Sequence, residues 1–301
     1  MKIILVLSIL SFTFFSCTQT VDIDFGKTQD KMVISSFIQP DSTLQVLVSY
    51  PIGTLESGSP IIKHAHVRLF ENDVFVEELQ YNNYCYRSTI YPQVNNTYKI
   101  EVEAENYPEV QATDHVPDAP LITNVEFIKN YRLEYDDDGD TYNISRVSCK
   151  IIDDHSTQNY YEIAVYYKYL SEYDNTYYIT SFNYEKNECE IINQEEVIDY
   201  RPNSIVFSNN DFNEISQPVN IDLNTSNIFD FFTQGEMIII VRKVSFAYYQ
   251  YQKSFTIHNY FQNSDDDLWG SPMPVELFSN VENGLGIFAA YNEVRDTIPV
   301  N

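Results

Sequence analysis

Positive charge is what this chain lacks most: 18 Lys and Arg stand against 44 Asp and Glu in 301 residues, a formal net charge of −26. A nucleic-acid partner needs a basic face, and so few cations are hard to gather into one. Unaided adsorption to an anionic bilayer is disfavoured for the same reason. Cysteine is scarce too. Beyond Cys17 there are Cys85, Cys149 and Cys189, an odd number without C-x-x-C spacing, so at most one disulfide forms among them. Cys149 with Cys189 is one pairing; three small buried hydrophobes is the other reading. A metal site built from them has no ligand set. After residue 15 no apolar run approaches the ~18 residues that span a membrane. G-x-S-x-G, P-loop and dinucleotide fingerprints are all missing, which removes the hydrolase elbow and the phosphate cradles. No internal repeat and no long low-complexity tract occurs.

What is present begins with residues 1–17. Lys2 precedes an uncharged run, Ile3 to Phe15, too short to cross a ~30 Å hydrocarbon core as a resident helix. That is the pattern of a secretory signal. Phe14-Phe15-Ser16-Cys17 resembles a bacterial lipoprotein box in its relaxed form, whose cysteine becomes the acylated first residue of the mature chain. The expectation is a signal peptide over 1–16, lipidation at Cys17 and a polar tether over 17–31, with the protein exported and lipid-anchored at the cell outer membrane. Several acyl chains hold far more firmly than one.

The body reads as mainly β. Met32–Ile38 and Leu44–Tyr50 are β-rich runs around the turn Pro40-Asp41-Ser42. His66–Glu71 and Val74–Leu79 form a hairpin on Asn72-Asp73. Tyr98–Glu105 alternates strictly, with Lys99, Glu101, Glu103 and Glu105 on the wet face. Close-spaced short strands predict a β-sandwich domain over 32–116. Val116-Pro-Asp-Ala-Pro120 is the predicted boundary, because two prolines in four residues stiffen a link. A second β-rich domain follows over 121–301, with strands at 144–153, 159–171, 176–183, 205–207, 219–223 and 236–242. One aromatic helix is expected near 245–263. Tyr248, Tyr251, Phe255 and His258 share one face of it; Phe246, Tyr249, Ile257 and Tyr260 share the other. Apolar residues on both sides imply burial against two surfaces, or one side left for a partner. The end, from 274 to 300, reads as strands around Asn283-Gly-Leu-Gly286.

Candidate chemistry is thin. Asp136, Asp138 and Asp140 place oxygens on alternate residues beside Gly139, a candidate Ca2+ loop. The twelve-residue pattern fits poorly, since Glu134 stands at its start and Ser145 where a bidentate Glu belongs; a solvated acidic turn is the plainer reading. Asp265-Asp266-Asp267 is contiguous and weaker still. His64 and His66 fall on one strand face without a third ligand. A carboxylate pair for glycoside hydrolysis has no discriminating signal among 44 acids. The 25 tyrosines, dense in 160–169, suit core and sheet first, and sugar stacking or a protein partner second.

The box at Cys17, Val21-Asp-Ile-Asp24, Ala65-His-Val-Arg-Leu-Phe-Glu71, Asn106-Tyr-Pro108 and above all Asn283-Gly-Leu-Gly-Ile-Phe288 resemble an uncharacterised family of Bacteroidetes outer-membrane lipoproteins, a domain of unknown function. The resemblance covers about 22 to 297. The first half also resembles immunoglobulin-like (Ig-like) or carboxypeptidase-regulatory-like sandwiches. The family resemblance implies association with a TonB-dependent receptor and an accessory role in uptake, without catalytic residues to transfer. A surface glycan-binding or adhesive module is the alternative, and a carboxylate-based hydrolase a lesser one. Gly284 and Gly286 have a physical reading of their own, positive φ or a close backbone approach. Asp41-Ser42-Thr43 and Asp296-Thr297-Ile298 resemble O-glycosylation sites of Bacteroidetes secreted proteins.

Overall fold

The computed structural model describes residues 31–52, 59–135, 139–153, 155–171, 174–182, 204–225, 235–263 and 275–300. Within them lie sixteen strands and one α-helix, so the protein is mainly β, with several antiparallel sheets.

Alternating apolar residues build the first layer pair. β1 (Val33–Ile38) and β2 (Gln45–Ser49) run antiparallel, burying Ile34, Ile38, Val46 and Val48. Opposite them, β3 (His66–Glu71), β4 (Val74–Glu78), β7 (Thr97–Glu103) and β8 (Val110–His115) form a sheet ordered β4-β3-β7-β8. Tyr98, Ile100 and Val102 of β7 point into the shared core, while Glu101 and Glu103 turn outward to Arg68. Asn72 and Asp73 join β3 to β4 with φ of 48° and 64°. This left-handed pair matches strand twist in a two-residue hairpin. Asn83 and Tyr84 do the same between β5 (Gln80–Asn82) and β6 (Cys85–Arg87), strands too short to leave a period in the sequence.

The second layer pair sets β9 (Leu121–Tyr135), β10 (Thr141–Ile152) and β14 (Ser216–Asn224) against β11 (Tyr160–Leu170), β12 (Tyr177–Ser181), β13 (Ile205–Ser208) and β15 (Gly235–Val244). Val147, Ile151, Ile163, Val165, Val219, Ile221, Ile239 and Val241 fill the space between them. The run Glu236–Arg242 is a central strand, which explains its nearly continuous apolar character.

The C-terminal stretch is one strand, β16 (Leu285–Val300), and it belongs to both pairs. Residues 285–290 lie parallel to β1, Val33 opposite Leu285 through Ile38 opposite Ala290. Residues 291–300 then run antiparallel to β15. A nine-stranded sheet, β12-β11-β15-β16-β1-β2-β6-β5 with β13 also on β11, therefore crosses the whole molecule. The 32–116 segment is completed by a strand from the far end of the chain, with Phe288 and Ala290 entering its core. The 116–120 link is packed: Val116, Pro117 and Pro120 are buried, Asn292 Nδ2 donates to the Pro117 carbonyl at 3.2 Å, and Lys243 pairs with Asp118 at 2.7 Å.

The helix α1 (Phe246–Asn263) starts where the sequence places it. Ser245 caps it, its hydroxyl accepting from the Tyr248 N–H at 3.1 Å. Ala247 and Tyr248 are buried against Val244, Ile287 and Ala289. The two aromatic flanks reach different halves of the molecule. Tyr248 and Tyr251 meet Phe37 of β1 edge-on, at 5.4 and 5.8 Å, while Tyr249 stacks on Tyr160 of β11 at 4.7 Å. Phe246 and Phe255 stay exposed.

Candidate functional site

Buried charge interrupts two apolar runs. Glu162 sits inside Tyr160–Leu170, and Arg242 ends the Met237–Val241 run. The antiparallel register of β11 and β15 sets them opposite each other, and that of β15 and β16 adds Glu293. Arg242 Nη1 meets Glu162 at 2.5 Å and its Nε meets Glu293 at 2.9 Å. Tyr248 from α1 and Ser204 donate to the two oxygens of Glu162, at 2.7 and 2.6 Å. Burial works against the charge of Arg242, yet Glu162 outweighs it and keeps the guanidinium protonated; burial and Glu162 both push the Tyr248 phenol upward. Every member has a partner, and the cluster holds α1 on the sheet.

On the outer face of the three-stranded sheet, Asp222 is buried between two arginines. Arg146 grips it with two bonds of 2.6 and 2.8 Å, and Arg132 bonds its Oδ2. The Arg146 guanidinium lies 4.0 Å from the Tyr131 ring centre. Burial opposes ionisation of Asp222, but hydrogen bonds from Arg146 and Arg132 win and hold its pKa below the ordinary carboxylate value.

The third cluster opens to solvent. Asp153, at the end of β10, is buried and accepts from the Tyr161 hydroxyl at 2.6 Å, Asn159 Nδ2 at 2.9 Å and the His155 N–H at 2.8 Å. Asn209, also buried, donates to Asp153 and to the Thr157 carbonyl at 2.7 Å, and accepts the Asn159 N–H at 3.0 Å. Burial disfavours the Asp153 anion, and these donors, Tyr161 foremost, more than offset it, so its pKa is lowered. The result fixes loop 155–159 against the 3-10 turn Asn209–Asp211. Between them is a recess of about 310 Å3, lined by residues 155–158, Asn209, Asn210 and Phe212. A second recess, about 330 Å3, lies along β1 and β2 beside Cys85.

The residues singled out in the sequence scatter. Cys17, Asp136, Asp138, Cys189 and Asp265–Asp267 lie outside the described residues. Asp140 is exposed at the foot of β10. His66 Nδ1 meets Glu78 at 2.6 Å, and His64 is exposed. Among the described residues no group of three or more His, Cys, Asp or Glu is placed to hold a metal ion. Cys149 is buried in the second core and Cys85 is half-buried. Asn283 has φ 59° and leads into Gly284, Leu285 and Gly286. Gly286 has φ +101°, and a Cβ there would stand 1.9 Å from the Ile34 carbonyl oxygen; at Gly284 it would meet Val110 at 2.9 Å. The motif lets β16 dock onto β1. Buried tyrosines also work as staples: Tyr86 donates to the Ile62 carbonyl at 2.9 Å and accepts from the Ala65 N–H at 2.7 Å. Burial and the bond to Glu71 push Tyr98 up to about 12.

Sequence reasoning missed the Glu162–Arg242–Glu293 and Asp153–Asn209 clusters. The signal for the first was there: Glu162 beside Ile163–Val165 and Arg242 directly after Met237–Val241 are charges on apolar strand segments, and each needs a partner there. The second left none, because it joins two loops more than fifty residues apart.

The DUF4249 family, a domain of unknown function, matches residues 18–297. This chain belongs to it. No curated protein matches the DUF4249 chain. Among solved structures, one of a Corynebacterium diphtheriae protein described as membrane anchored aligns at 12% identity and a TM-score of 0.21. That alignment covers 73% of this chain and 55% of the other, so the DUF4249 chain spans about half that protein's length. A score so low carries no argument about the fold. Among the described residues no helix is long and apolar enough to cross a membrane.

Proposed function

We propose that the chain is an exported outer-membrane lipoprotein, lipidated at Cys17, that acts without catalysis of its own as the accessory partner of a TonB-dependent transporter in nutrient uptake. The observation that carries this is Phe14-Phe15-Ser16-Cys17 after a short apolar run, followed by a strand-rich acidic body. Fifteen residues lie between Cys17 and Val33, a reach of at most about 55 Å when fully extended. That length keeps the body close to whatever shares its membrane. Glu162 and Asp222, two buried carboxylates of the body, are held by arginines, as in a scaffold. Glu162 and Glu293, a pair of carboxylates near each other, both pair with Arg242, and Arg295 adds a second cation to Glu293, which speaks for support of α1 over hydrolysis.

The test is fractionation of native membranes with the wild-type chain and Cys17→Ser. The wild type is expected in the outer membrane, carrying a lipid mass on its first residue and co-isolating a TonB-dependent receptor in mild detergent. The variant is expected to leave the membrane. A lipid-free wild type, or a lipidated one that brings down no receptor, overturns the reading.

A second reading, a surface glycan-binding or adhesive protein, is favoured by one observation: Tyr177, Tyr178 and Ile179 stand exposed side by side on β12. Loss of glycan adhesion in Tyr177→Ala with Tyr178→Ala would select it.

A further inference from the structure

In a chain with 44 acids, the described lining of the recess beside Asp153 is mostly amide and hydroxyl. Residues 155–158, Asn209, Asn210 and Phe212 include no Asp, Glu, Lys or Arg, and His155 is their one ionisable side chain. What the walls offer is amide and hydroxyl: Gln158, Asn210 and Thr157 are all exposed at the rim. Amides and hydroxyls both donate and accept, which matches a ligand whose own groups do both. Neutral sugars are that kind of ligand.

The floor is rigid before anything binds. Asn209 is held by Asp153, Thr157 and Asn159, and Gln158 Nε2 donates to Asn209 Oδ1 at 3.2 Å. His155 is pinned in a left-handed conformation, φ 58°, by its N–H bond to Asp153, and its Nε2 lies 3.2 Å from the Glu214 carbonyl. Its ring meets Phe212 edge-on at 6.0 Å, and Phe212 is stacked on Tyr161 at 5.6 Å. The exposed His155 ring, backed by the buried Phe212, stands beside the amides, so a sugar's hydroxyls meet a lining that is almost wholly polar. The volume, about 310 Å3, is at the small end of ligand sites and suits one sugar ring. Side chains fixed in advance lose little entropy when the ligand arrives.

We propose that this recess binds a neutral, hexose-sized saccharide unit through Thr157, Gln158 and Asn210 beside the His155 ring. The inference does not depend on the anchor, on a receptor, or on the exposed tyrosines of β12.

Saturation-transfer NMR and titration calorimetry on the full chain test it, using glucose, galactose, mannose and N-acetylglucosamine as probes and glucuronate as the charged counterpart. At least one neutral sugar is expected to bind. Gln158→Ala with Asn210→Ala, both at exposed positions and checked for an unchanged melting curve, is expected to weaken it by about tenfold or more. Glucuronate is expected to bind about tenfold more weakly than its neutral parent, because the described lining offers no Lys or Arg to an anion in an acidic protein. Tyr177→Ala is expected to change nothing. Failure of all four neutral sugars to bind, binding that survives the double variant, or glucuronate binding as well as glucose would each overturn the proposal.

Discussion

The backbone N–H of Ala290 donates to Oδ2 of Asp114 at 2.7 Å, at the point where β16 leaves β1 and joins β15. Ser245, which caps α1, donates its own N–H to the Ala290 carbonyl at 2.9 Å. One carboxylate on β8 thus sits at the joint of both layer pairs and the helix.

Burial raises the Asp114 pKa to about 6, more than the Ser245, His115 and Ala290 hydrogen bonds lower it. A carboxyl whose folded pKa exceeds its unfolded one binds its proton more tightly when folded. Its contribution is therefore most favourable below pH 4 and is lost as pH climbs through 6. Asp114→Asn, whose amide oxygen still accepts from Ala290, is expected to be more stable than wild type at pH 7.5 by roughly 1–3 kcal/mol. The gain should vanish near pH 4. Urea unfolding of both proteins at pH 4, 6 and 7.5 checks this.

Asp222 titrates in the opposite sense. Its lowered pKa supplies stability above the unfolded value near 4 that is lost as pH falls. Asp222→Asn is expected to cost roughly 2–4 kcal/mol at pH 7, because it leaves Arg146 and Arg132 without their anion. The difference between the two proteins should shrink on acidification below pH 4, read by the same unfolding curves.

Arg242→Met removes the one cation shared by two buried or half-buried carboxylates. A loss of about 3–5 kcal/mol is expected, since Glu162 is left without its ion pair and Glu293 keeps only the exposed Arg295 at 3.3 Å. Tyr248→Phe deletes only the hydroxyl bond to Glu162 and should cost about 1.5–3 kcal/mol. If Glu162→Gln abolishes most of the Arg242→Met effect in a double-mutant cycle, the coupling lies in this pair. Additive effects would place it elsewhere.

Two glycines separate backbone strain from steric clash. Gly139 has φ +86° with nothing within 4 Å of a Cβ, so Gly139→Ala should cost about 1–2 kcal/mol from conformation alone. Gly286→Ala adds a clash with the Ile34 carbonyl to its own φ of +101° and should cost well over 3 kcal/mol. Hydrogen exchange is expected to show Gly286→Ala loosening the amides of β1 and residues 285–290 ahead of the rest.

Much of the local structure was legible. Alternation assigned the faces of β7, where Tyr98, Ile100 and Val102 are buried, and Ser245 marked the start of α1. Hairpins that depend on two neighbours, such as Asn72-Asp73, were equally plain. The strands missed, β5 and β6, are three residues each and have no period to read. The polar clusters were harder. Glu162 and Arg242 announced a need for partners but not which ones, and Asp153 meets Asn209 across 56 residues.

By itself the sequence determined which residues turn inward, where the helix begins, the acidic composition and the short apolar run at residues 3–15, because each depends on a residue and its near neighbours. Only the tertiary structure decided that Val33 lies beside Leu285, that one strand serves two cores, and that Arg242 stands between Glu162 and Glu293. Strand period records a face and never a partner. Pairing and register are set by packing among segments hundreds of residues apart, where loop-closure entropy and the fit of whole sheets choose the neighbour.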